Sequence, residues 1–99
     1  MKKEFYIWDM NNTQTHTMKY TTTDKHAHQY ETFTASEGPA TIVASVNKEG
    51  AGWNWFVRVA YLKPDGITYI DDAQGREWSK PEARASFEAA ASGLIAQMK

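Results

Sequence analysis

The chain has 99 residues, a formal net charge of -1 and no cysteine. That length holds one domain, 1–99, and not two, and a balance of 11 basic against 12 acidic residues excludes the basic stripe of a duplex nucleic-acid binder. The missing cysteine excludes disulfides and thiolate chemistry, while 41% hydrophobic and 23% charged content exclude a disordered chain. Four Trp, five Tyr and four Phe form a heavy aromatic load, of the kind that serves cores and interfaces alike.

Lys2 and Lys3 precede an apolar run, Phe5 to Trp8, which Asp9 ends far too early for a signal peptide or a membrane span. No membrane partner is therefore expected, and a cytoplasmic location is. Lys3 to Met10 (KEFYIWDM) reads as a first strand with apolar residues on both faces: Phe5 and Ile7 on one, Tyr6, Trp8 and Met10 on the other. Asn11-Asn12 suits a two-residue hairpin turn, because Asn tolerates positive φ. Thr13 to Thr23 reads as the returning strand, polar enough for an edge. Asp24 to His28 reads as a polar connection and Gln29 to Ala35 as a strand. Ser36-Glu37-Gly38-Pro39 is a turn cluster. Ala40 to Val46 (ATIVASV) is a strand with Ile42, Ala44 and Val46 on one face, and Asn47 to Gly52 is its hairpin loop.

Gly52 to Lys63 (GWNWFVRVAYLK) is the longest β-favouring run and the expected central strand. Trp53, Trp55, Val57, Val59 and Tyr61 share one face, wholly apolar or aromatic. Asn54, Phe56, Arg58, Ala60 and Leu62 share the other, which is more apolar than the solvent side of a half-buried strand requires. Lys63-Pro64-Asp65-Gly66 is a turn signal. Ile67 to Asp71 is a short last strand, extended by a bend at Gln74-Gly75 to Trp78.

Ser79-Lys80-Pro81-Glu82 is a capping box with proline in the first turn. Trp78 and Ala83 are placed to form a hydrophobic staple across it. The helix from Lys80 to about Met98 sets Ala83, Phe87, Ala90, Ala91, Leu94, Ile95 and Met98 on one stripe. The expected fold class is α+β: an antiparallel sheet of about five strands with one C-terminal helix packed on one face. One helix covers one face only. Either the early hairpin folds over the second face, or a second copy of the chain or another protein does.

The chemistry-bearing groups are sparse. His26 and His28, with His16 and Asp24, are the candidate metal ligands, but no second ligand pair has a recognisable spacing. Asp65 is explained by its turn and Asp71-Asp72 by strand termination, so no catalytic residue, metal ligand or cofactor is assigned. Tyr6, Trp8, Tyr20, Phe33, Phe56 and Arg58 are placed together on the sheet face opposite the helix. Aromatics beside arginine suit a protein interface, and also suit stacking on single-stranded bases. The slightly negative charge favours the protein partner.

Strands ending in TYIDDAQGREWSKPEARASFEAA with a capped C-terminal helix resemble, in size and layout, small phage and mobile-element accessory proteins of the anti-CRISPR type. That resemblance implies a compact α+β domain that inhibits a larger host defence complex by docking on it. The expectation is a non-enzymatic binding protein, possible as a homodimer, with Asn54, Phe56, Arg58, Leu62, Tyr6, Trp8 and Tyr20 as its binding residues. The alternatives are a single-stranded nucleic-acid binder using the same face, and a metal-dependent enzyme using the His16/His26/His28 cluster.

Overall fold

The period-two alternation builds an antiparallel meander. The computed structural model describes residues 18–26 and 28–99. Strands β1 (Thr21–His26), β2 (Tyr30–Glu37), β3 (Ala40–Glu49), β4 (Gly52–Leu62) and β5 (Thr68–Glu77) lie side by side in chain order, and helix α1 (Lys80–Met98) follows. The fold of the described residues is thus α+β, with a five-stranded antiparallel sheet and one C-terminal helix. The expected first strand, Lys3 to Met10, and the hairpin after it lie outside the described residues, as do Thr13 to Thr17 of the returning strand.

Local chemistry sets the connections. Gly38 and Pro39 form a two-residue hairpin in which Gly38 takes φ +57, a value that costs glycine nothing for want of a Cβ. Gly50 and Ala51 close the next hairpin, so Asn47 to Glu49 belong to β3 rather than to a loop. In the Pro64-Asp65 turn, the Gly66 amide donates to the Lys63 carbonyl at 2.9 Å, and Asp65 Oδ1 accepts from the Ile67 amide at 2.9 Å. Asp24 to His26 are strand rather than connection. A bulge between Thr22 and Asp24 keeps them in register, with Lys25 opposite Glu31 and His26 opposite Tyr30. No bend interrupts β5, which pairs with β4 through ten successive residues, Thr68 to Glu77.

The core lies between the sheet and α1. Across the strands run rows of paired side chains: Phe33, Ala44, Val57 and Ala73; Ala35, Ile42 and Val59; Glu31, Val46, Trp55 and Gly75. Large and small residues alternate along the first of these rows, which lets the helix approach closely. The helix contributes Ala83, Phe87, Ala91, Ile95 and Met98, all buried. Phe87 meets Phe33 at 5.1 Å and Tyr20 edge-on at 5.3 Å between ring centroids. Val57 and Val59 are fully buried, and Trp53, Trp55 and Tyr61 pack half-buried at the margin, as the alternation in β4 implies.

The helix start follows the capping box. Ser79 Oγ accepts from the Glu82 amide at 3.2 Å and donates to Glu82 Oε1 at 3.0 Å. The hydrophobic staple is not formed. Ala83 is fully buried, but Trp78 is 79% exposed, because the extended backbone at Ser79 turns the chain into the helix and leaves the indole outside. At the other rim, Lys80 Nζ pairs with Glu31 at 2.8 Å and lies 5.7 Å from the Trp53 ring. Glu31 is the one buried charged side chain among the described residues.

Candidate protein-interaction face

Among the described residues the second side of the sheet carries no helix. The register fixes what it displays, because residues directly opposite one another point to the same side. Four rows cross β2 to β5: Tyr30, Asn47, Asn54, Arg76; Thr32, Ser45, Phe56, Gln74; Thr34, Val43, Arg58, Asp72; and Ser36, Thr41, Ala60, Ile70. Leu62 extends the last of these beside Thr68. Hydroxyls line the β2 side. Towards β4 and β5 the face turns apolar, with Val43, Leu62 and Ile70 exposed and Phe56 and Ala60 half-buried.

The cations of this face are neutralised in place. Arg58 Nη2 donates to Asp72 Oδ2 at 3.2 Å across β4 and β5, and its guanidinium sits 5.4 Å from the Phe56 ring centroid. Arg76 binds Glu49 twice, at 3.3 Å to the carboxylate and 2.6 Å to the carbonyl. Asn54 donates to the same carboxylate at 2.6 Å. Asp24 accepts from the Tyr30 hydroxyl at 3.3 Å, and His26 stacks on Tyr30. The surface therefore has apolar residues on both sides of a central Arg58–Asp72 pair, with amides and the Arg76–Glu49 pair at one end. A shallow hollow of about 590 Å³ lies beside Phe56, between Asn47, Asn54, Gln74 and Arg76. Asn54 and Arg76 of its lining share the Glu49 carboxylate at the rim.

Of the residues assigned from sequence, Asn54, Phe56, Arg58 and Leu62 lie together on this face. Tyr6 and Trp8 lie outside the described residues. Tyr20 and Phe33 are corrections: both sit on the helix side. Phe33 is buried because its register partner Ala44 points to the core, and Tyr20 packs against Phe87. The Tyr20 hydroxyl is buried without a hydrogen-bond partner among the described residues. Burial, reinforced by the nearby Glu88 carboxylate, pushes its pKa up to about 12. Val43, Ile70, Gln74 and Arg76 were not assigned from sequence. Val43 is the apolar residue out of phase with Ile42, Ala44 and Val46, and that was its signal.

His26 and His28 do not converge with other ligands. Among the described residues no group of three His, Cys, Asp or Glu side chains is placed to hold a metal, and His16 lies outside them. Nor is any helix among those residues long and apolar enough to cross a membrane. The buried carboxylate, Glu31, lies on the other side of the sheet, paired with Lys80. Burial alone would raise the Glu31 pKa, but hydrogen bonds from Lys80 and Thr22 and the charges of Lys80 and Lys25 outweigh it and hold the group below the usual carboxylate range. The chain matches no family model, no curated protein and no solved structure.

Proposed function

We propose that this is a non-enzymatic binding protein that docks on another protein through the open face of its sheet. The observation that carries the reading is an apolar patch of Val43, Phe56, Ala60, Leu62 and Ile70 that no element among the described residues covers. Phe56 with Arg58 above it supplies the aromatic and guanidinium pairing that concentrates binding energy at protein interfaces. The layout shared with accessory proteins of the anti-CRISPR type makes a host defence complex the partner class to test first.

Single-stranded nucleic acid is the competing ligand for the same face. It needs cations free for phosphate, whereas Arg58 is engaged by Asp72 and Arg76 by Glu49. This pairing weighs towards a protein. Affinity capture from a host cell, comparing wild type with the Phe56→Ala/Arg58→Ala double variant, tests the proposal. A partner retained by wild type and lost by the variant is expected. Capture that is indifferent to both substitutions, or tight low-salt binding of a labelled oligonucleotide by wild type, would overturn it.

A further inference from the structure

The two edges of the sheet are built differently. Strand β1 has six residues, a bulge between Thr22 and Asp24, and the charged run Asp24-Lys25. Bulges and charges of that kind discourage further pairing. Strand β5 has ten residues, no bulge, no proline and no lysine, although it carries Asp71, Asp72, Arg76 and Glu77, and among the described residues no strand lies along its outer edge. The exposed large apolar side chains also collect there. Ile67, Tyr69 and Ile70 stand at one end of β5, Leu62 adjoins that end, and Trp78 stands at the other.

We infer that β5 is the pairing edge for a second copy of this chain, joined antiparallel about a two-fold axis at Gln74. The charge pattern selects that arrangement. Parallel, in-register pairing would stack Asp71 and Asp72 on their own copies. Antiparallel pairing about Gln74 sets Asp72 opposite Arg76 and Ile70 opposite Trp78 of the other chain on the open face, and leaves Asp71 opposite Glu77 as the one like-charge pairing, on the helix side. The two sheets then run on as one of ten strands. An edge of ten residues, about 33 Å long, on a molecule 19 Å in its shortest dimension presents roughly 600 Å² of wall. That approaches the ~800 Å² per partner of a standard interface, which suits a reversible dimer rather than an obligate one. The Trp78 indole and Tyr69 supply its anchors. This contact is separate from docking through the open face, although Ile70 touches both surfaces.

Sedimentation equilibrium of the full chain up to about 500 µM, with two variants, tests the inference. Wild type should be a monomer–dimer mixture dissociating in the micromolar range, and Trp78→Lys should weaken the dimer at least tenfold. Trp78 is exposed, so that variant keeps the fold. The chain has no native cysteine, so Gln74→Cys introduces a single thiol close to the axis. Antiparallel partners about 4.5–5.5 Å apart at Cα fall within disulfide range. Mild oxidation should link this variant into dimers much faster than Thr34→Cys, a control on β2. A strictly monomeric wild type overturns the inference, as does cross-linking of Gln74→Cys no faster than the control. A dimer abolished by Phe56→Asp but unchanged in Trp78→Lys also overturns it, since that would make the open face the contact between copies.

Discussion

Gly75→Ala is a small change with a calculable consequence. Gly75 faces Trp55 across β4 and β5, and the indole lies directly on it. A Cβ built on Gly75 would stand 2.7 Å from Cε2, Cζ2 and Nε1 of that ring. Ordinary contact between such atoms is about 3.5–4.0 Å, so the ring must move by most of an ångström or the strands must part. Overpacking of this size costs about 1–3 kcal/mol, and stiffening of the unfolded chain returns about 0.4–1 kcal/mol. The net expectation is a loss of about 1–2 kcal/mol, roughly 4–16 °C in melting temperature for a domain of this size. Gly93→Ala is the matched control. It lies within α1 with nothing within 4 Å of its Cβ position, so the same substitution should add about 0.5–1 kcal/mol through helix propensity. Urea titration followed by tryptophan fluorescence measures both. If Gly75→Ala is neutral or stabilising, the packing of Trp55 on Gly75 is not as described.

Glu31→Gln should cost about 1–3 kcal/mol at neutral pH, because it removes the negative charge that balances Lys80. The depressed pKa of Glu31 means its contribution is present above the unperturbed value of 4.5 and is lost as pH falls through the folded value. The variant should therefore lose less stability than wild type on acidification, as read by melts across that range. Tyr20 works in the opposite direction: its raised pKa makes its contribution fully present below about pH 10, with loss as pH climbs towards about 12. Ultraviolet titration should find one tyrosine ionising late, and Tyr20→Phe should remove it. Ser79→Ala should cost about 1 kcal/mol by leaving the Glu82 amide without its cap, measured by thermal melting.

Much of the fold is legible because burial on one side of a strand imposes period two and on one side of a helix imposes 3.6. The β4 alternation separates Trp55, Val57 and Val59 from Asn54, Phe56 and Arg58 without ambiguity, and the capping box at Ser79 fixes where α1 begins. The failures share a cause: cross-strand register is a long-range property. Gly75 looks like a bend until Trp55 is found lying on it. Asp24 to His26 look like a loop until the bulge brings Lys25 opposite Glu31. Phe33 and Tyr20 carry no mark of their own that assigns them to the helix side. Only the pairing of Phe33 with Ala44 and the contact of Tyr20 with Phe87 do so. Trp78 fits a staple by sequence, yet the backbone path into α1 leaves it in solvent. Half of the proposed binding face was accessible from β4 alone, and Val43, Ile70 and Arg76 joined it through register.

The proposed role of the open face is tested most directly by a photo-cross-linking amino acid placed at Phe56, compared with one at Ala89 on the exposed side of α1. With the chain expressed in a host cell, illumination should give a discrete adduct from position 56, with a mass that is not twice that of the chain, and none from position 89. Adducts that form equally from both positions, or only from position 89, would contradict the assignment of the open sheet face as the surface through which this protein acts.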